Sequence, residues 1–134
     1  MHDYPHIPNI LILTDEAKRL FCLQEQLKKQ DFKIISAILR DDFLDIIKEE
    51  CPKVIVLDIE TCTCKISNFI NILKEDPSTV GIPLIIVSYF LDQQLIRQLI
   101  HKKVEKFICK PYHFSEVLAG IHSQIYTVLE PVLR

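Results

Sequence analysis

The sequence predicts an α/β fold, a doubly wound parallel sheet of five strands covered by helices on both faces. Three observations carry this expectation. Apolar clusters of strand length at 10–13, 32–36, 54–57, 84–87 and 106–108 alternate with stretches whose apolar residues recur at helical spacing. The clusters at 54–57 and 84–87 are apolar without interruption, as in strands buried on both faces, whereas a strand with one wet face would alternate. Four of the runs end in polar residues, in ILILTDE (10–16), VIVLDIE (54–60), PLIIVS (83–88) and KFICKP (106–111).

Residues 1–8, with Pro5 and Pro8, read as an extended arm, followed by one domain over 9–129 and a tail at 130–134. Leu20, Leu23 and Leu27 define a first helix after the 10–13 strand, and Phe43, Ile46 and Ile47 a second after 32–36. Phe69, Ile72 and Leu73 mark a third helix, closed at Asp76-Pro77 because proline pushes the residue before it out of helical conformation. Gly81 and Pro83 punctuate the approach to the fourth strand, and Leu91, Leu95 and Leu99 define the helix beyond it. The last helix carries Phe114, Val117, Leu118, Ile121, Ile125 and Val128, with Ser115 expected as its N-cap and Glu116 in its first turn. Gly81 and Gly120 are the only glycines, so turns that need positive φ must use other residues.

A chain of 134 residues can bury one core without disulfides or metal, and 49% apolar with 25% charged residues excludes a disordered chain. The net charge of -2 gives no electrostatic footprint for nucleic acid or an anionic membrane. Lys28-Lys29 and His101-Lys102-Lys103 fall at helix C-terminal ends, where cations complement the dipole. No apolar run reaches membrane-spanning length. The five cysteines, Cys22, Cys51, Cys62, Cys64 and Cys109, are odd in number, lack a disulfide rhythm and follow no signal peptide, so a reducing cytoplasm is the expected location. Cys62-Thr63-Cys64 has neither zinc-knuckle nor redox-pair spacing, and His2, His6, His101, His113 and His122 form no metal-ligand pattern.

Ligands of an open parallel sheet bind beyond the carboxyl ends of its strands, where strand order reverses. In a sheet of order 2-1-3-4-5 that point lies between the first and third strands, the two that carry Asp15 and Asp58. Ser88 then arrives from the fourth strand and Lys110 from the fifth. This mixture suits phosphoryl transfer to a carboxylate. Magnesium, held by one or two carboxylates, brings two anionic partners together, while a lysine and a hydroxyl take the remaining phosphoryl oxygens.

Over about residues 8–127 these residues resemble the receiver domain of bacterial two-component response regulators, whose fold is flavodoxin-like, a three-layer α/β/α arrangement with strand order 2-1-3-4-5. The resemblance implies that Asp58 accepts a phosphoryl group from a histidine kinase or phosphotransfer protein. It also implies that Asp15, Asp58 and the backbone carbonyl of Glu60 hold Mg2+. Lys110-Pro111 matches the family's Lys-Pro pair, whose peptide is typically cis, Ser88 matches its Thr or Ser, and Phe107 matches its aromatic switch. Signalling would then run through a downstream protein docked on helix four, strand five and helix five, where Gln93, Gln94, Arg97 and Gln98 offer a polar face. Homodimerisation is left open, and no enzymatic activity is expected beyond phosphorylation and dephosphorylation of the chain itself.

The chain departs from the family pattern in several places. Thr14-Asp15 stands where the family has two acidic residues, so weaker magnesium binding is expected. Thr61-Cys62 and Ile66 replace the usual Met-Pro and glycine, Tyr89 replaces a small residue, and Lys103-Val104 replaces Gly-Ala. Glu60 and Phe90 fall where the family tunes hydrolysis. These departures motivate an alternative, a phosphorylation-independent pseudo-receiver acting as an interaction module. An aspartate-nucleophile phosphohydrolase is a further alternative, since Asp58-Ile59-Glu60-Thr61 loosely resembles the haloacid-dehalogenase motif, although that motif normally opens its domain. Each residue also has a plain structural role available: Asp15 and Asp58 as caps, Ser88 as a turn residue, Lys110 as a solvated charge before proline.

Overall fold

The computed structural model describes residues 7–16, 23–40, 42–60, 63–89 and 93–126. The arm before residue 7, the 130–134 tail, and Leu20, Cys22, Thr61, Cys62, Phe90, Leu91 and Val128 lie outside the described residues. The strands are β1 (Asn9–Thr14), β2 (Lys33–Ile38), β3 (Val54–Asp58), β4 (Leu84–Ser88) and β5 (Lys106–Cys109). The helices are α1, described over 23–27, then α2 (Phe43–Glu50), α3 (Thr63–Glu75), α4 (Gln93–His101) and α5 (Phe114–Ile125). All strand pairs are parallel, in the order β2-β1-β3-β4-β5 that the resemblance implies.

The two-residue period of a strand divides the apolar runs between two cores. Leu11, Leu13, Ile55, Leu57, Leu84 and Ile86 pack with Phe43 and Ile47 of α2, Phe69 and Leu73 of α3, and Leu95 and Leu99 of α4. Ile10, Ile12, Val54, Val56, Ile85, Val87 and Ile108 face Leu23 and Leu27 of α1 and Val117 and Ile121 of α5. Every residue of β3 and β4 is buried, which explains why neither strand alternates. Each such aliphatic side chain contributes about 1.5–3 kcal/mol on burial, so a polar substitution in either strand is opposed from both sides.

Three sequence expectations shift. β2 runs Lys33–Ile38 rather than 32–36. It is the edge strand, and because its residues from Ile34 to Ile38 are half-buried, apolarity alone did not mark its end. Ile72 is 42% exposed, and α3 is anchored instead by Ile66, Phe69, Ile70 and Leu73. The N-cap of α5 is His113, not Ser115, and the Glu116 carboxylate reaches back to accept the His113 N–H at 3.1 Å. That bond satisfies a donor at the helix start and fixes the cap two residues earlier than the hydroxyl suggests.

Positive φ falls on non-glycine residues, as the scarcity of glycine predicts: Cys51 at 48° and Lys103 at 62°. Lys103 ends α4 in a Schellman arrangement, with its N–H on the Ile100 carbonyl at 2.9 Å and the Val104 N–H on the Leu99 carbonyl at 3.2 Å. Gly120 serves close packing instead. A Cβ there would lie 3.2 Å from Lys106 Cδ and 3.4 Å from Ile85 Cδ1, so its absence lets α5 settle onto β4 and β5. The register then brings the strand ends level: Thr14 lies opposite Asp58, Asp58 opposite Val87, and Ser88 opposite Cys109.

Candidate functional site

The carboxyl ends of β1, β3, β4 and β5 place Asp15, Asp58, Ser88 and Lys110 along one rim of the sheet. Asp58 is the last residue of β3 and is buried. Lys110 directly follows β5, and its N–H donates to the Ser88 carbonyl at 3.0 Å, which carries the ladder one step past both strands. The Lys110-Pro111 peptide is cis. The lysine side chain turns inward: its Nζ lies 2.5 Å from Asp58 Oδ1, and both side chains are more than nine-tenths buried. A solvated lysine would show neither feature, so the plain surface role is set aside.

Asp15 joins the same centre. Its Oδ2 accepts the Glu60 N–H at 3.3 Å, linking the turn after β1 to the chain after β3. Thr14 is fully buried, and its Oγ1 accepts the Glu16 N–H at 3.3 Å. The hydroxyl thus shapes the turn that carries Asp15, at the position where a second carboxylate would stand opposite Asp58. Ser88 is fully buried one step beyond the Asp58–Val87 pair. Phe107 is half-buried on the α2 to α4 side of the sheet, and the strand period puts Ser88 on that same face.

Two contacts were not anticipated from the sequence. The Glu60 carboxylate takes the Lys110 ammonium at 3.1 Å. Lys110 Nζ also lies 5.5 Å from the centroid of the Tyr89 ring, within cation–π range. The first carries a signal in hindsight, because residues 58 and 60 are two apart in extended chain and point the same way. The second depends on how β4 and β5 end beside each other, which no local pattern encodes.

One lysine therefore faces the carboxylates of Asp58 and Glu60, with Asp15 alongside. Such an excess of negative charge suits a divalent cation. No group of three or more His, Cys, Asp or Glu side chains arranged around a metal occurs among the described residues. Two carboxylates with a peptide carbonyl fit magnesium, which takes few protein oxygens and keeps several waters, and do not fit a closed zinc site.

Comparison with known proteins agrees with this geometry. The family model described as the response regulator receiver domain matches residues 10–122. Protein RcaC of Microchaete diplosiphon is 26% identical over 125 residues, covering 92% of this chain and 19% of its own length. The chain thus spans about a fifth of that relative. A response regulator from Desulfuromonas acetoxidans superposes with a TM-score of 0.73 at 24% identity, over 91% of this chain and 96% of that one. The receiver domain of HemR from Leptospira biflexa gives 0.75 at 18% identity, over 88% and 94%. The chemotaxis protein CheY4 of Vibrio cholerae gives 0.77 at 11% identity, over 87% and 98%. At these identities the structures speak for the fold, while the family pattern extends through both the acidic turn and the Lys-Pro pair. The chain belongs to the response regulator receiver domain family, the receiving module of two-component signalling.

Proposed function

We propose that Asp58 is the phosphoacceptor of a signalling receiver that takes its phosphoryl group from the phosphohistidine of a sensor kinase or phosphotransfer protein. The buried Asp58–Lys110 pair at 2.5 Å, beside Asp15 on the rim of the sheet, carries this reading. A carboxylate oxygen of Asp58 attacks phosphorus, the P–N bond of the donor breaks, and its electron pair leaves with the imidazole. Asp15, Asp58 and the carbonyl of Glu60 would hold Mg2+, which neutralises charge on the transferring group when bound. Lys110 and Ser88 take the phosphoryl oxygens as charge gathers on them.

Movement of Ser88 toward the phosphoryl group would free space on the face it shares with Phe107, and the ring would follow inward. A downstream protein would read that change on α4, β5 and α5, where Gln93, Gln94, Arg97 and Gln98 are exposed and Ile100 is 58% exposed. The chain would act by docking rather than by turnover of a substrate, in the cytoplasm, where kinase domains and their phosphoryl donors meet it. Among the described residues no helix is long and apolar enough to cross a membrane.

Phosphoryl transfer to this chain should yield a linkage stable in neither alkali nor hydroxylamine, as expected for an acyl phosphate, and Asp58→Asn should abolish it. A label that survives in Asp58→Asn would overturn the assignment. One observation favours the phosphorylation-independent alternative: Tyr89 stands over Lys110 where the family has a small residue. Under that reading the intact chain would take no label, yet would still bind its partner.

A further inference from the structure

We infer that the Glu60 carboxylate is a built-in competitor for the phosphoryl group, occupying Lys110 until the incoming phosphate displaces it. The inference rests on the reading of Asp58 as phosphoacceptor. Lys110 Nζ contacts Asp58 Oδ1 at 2.5 Å and Glu60 Oε1 at 3.1 Å, and the Tyr89 ring stands 5.5 Å away. The ammonium has three N–H donors and the two carboxylates engage two of them, so one is left for a further anion while Glu60 stays in place. The lysine side chain is 9% exposed, and water does little to loosen these contacts.

A phosphoryl group on Asp58 needs Lys110 as a donor and carries negative charge of its own. It therefore meets Glu60 as a rival for the same ammonium and as a like charge beside it. Glu60 is 27% exposed, on the solvent side of the pair, so it has somewhere to go. Asp58 has not, because it ends a buried strand. Acceptance of phosphate thus entails breaking the Glu60–Lys110 pair while keeping Asp58 and Lys110 together. Glu60 acts as a positioning residue that biases the resting state, through its side chain, separately from any contribution of its backbone carbonyl to the metal.

The test is calorimetric binding of beryllium trifluoride, a phosphoryl mimic, to the intact chain at saturating Mg2+, compared between the unmodified protein and Glu60→Gln. Removal of the charge with retention of shape should tighten the mimic roughly tenfold, equivalent to about 1.4 kcal/mol. Mg2+ affinity measured without the mimic should stay equal or fall, since a negative charge near the cation is lost. A general loosening of the site would weaken both ligands, so the opposite directions identify the competition. Equal or weaker binding of the mimic by Glu60→Gln would overturn the inference while leaving the phosphoacceptor reading in place. Absence of binding to either protein would overturn both.

Discussion

Lys110 holds Asp58 at 2.5 Å inside the fold, and a buried pair of this kind is costly to break from one side because the partner is left charged in a dry place. The fold itself therefore organises the pair, ahead of the phosphoryl group that the proposed function brings to it. Thr14 shows what this chain lacks. It lies opposite Asp58 across β1 and β3, at the position where the family pattern has an acidic residue. Thr14→Asp should tighten Mg2+ binding by roughly tenfold while lowering stability in its absence, because a third carboxylate then joins Asp15 and Asp58 on one rim. Metal titration and melting with and without Mg2+ measure both effects, and unchanged affinity would contradict the role given to Thr14. Asp76 offers a second case, away from the site. The Lys48 ammonium at 2.7 Å, then the Ser78 hydroxyl and N–H, hold its carboxyl at about 2, well below the usual carboxylate range. A folded pKa depressed below the unfolded value stabilises the fold above about pH 4 and loses that contribution as pH falls toward 2. Asp76→Asn should be less stable than the unmodified chain near neutrality, and the gap between their melting temperatures should close over that acidic window.

β3 and β4 are hydrophobic on both faces, and this continuous apolarity marks them as central strands from sequence. The helix ends carry a different kind of information. At the end of α4, Lys103 occupies the left-handed position that glycine usually takes in a Schellman motif, while Val104 and Leu99 meet in the core behind it. A side chain there costs about 1–2 kcal/mol, partly offset by the chain entropy glycine would lose, so Lys103→Gly should stabilise the fold by about 1 kcal/mol. Denaturant unfolding with an unchanged m-value would record the gain; a loss would mean that the lysine side chain contributes packing beyond the turn. The limits of sequence reading follow the same division. Strands 1, 3, 4 and 5 and the burial of Leu95, Leu99, Val117 and Ile121 were legible because burial and period coincide there. β2 runs two residues beyond the apolar cluster at 32–36 because half-burial at a sheet edge blurs its boundaries. The hydroxyl of Ser115 is the stronger local cap signal, whereas the bond from the His113 N–H to Glu116 has no such mark in the sequence.

The doubly wound topology turns four scattered sequence positions into one rim. β1 and β3 are neighbours although β2 separates them in the chain, so Asp15 and Asp58 converge only in the folded sheet. Their order along the chain, with Ser88 and Lys110 following, is readable from the sequence because ligands of such sheets gather at the carboxyl ends of the strands. The engagement of Lys110 by Glu60 and its approach to Tyr89 were not readable, since both depend on side chains packed across strand ends. The rim lies at one end of the sheet, while α4, β5 and α5 present a separate surface, linked to it by Ser88 and Phe107 on a shared face. Under the proposed function, a chemical change on Asp58 would thus have a short physical route to the surface proposed for docking. The measurement that bears on this first is the intact mass after incubation with acetyl phosphate, with and without Mg2+, run beside Asp58→Asn. One added phosphate that requires Mg2+ and vanishes in Asp58→Asn is the predicted result; an adduct that persists in Asp58→Asn, or no adduct from either acetyl phosphate or a phosphorylated kinase, would contradict it.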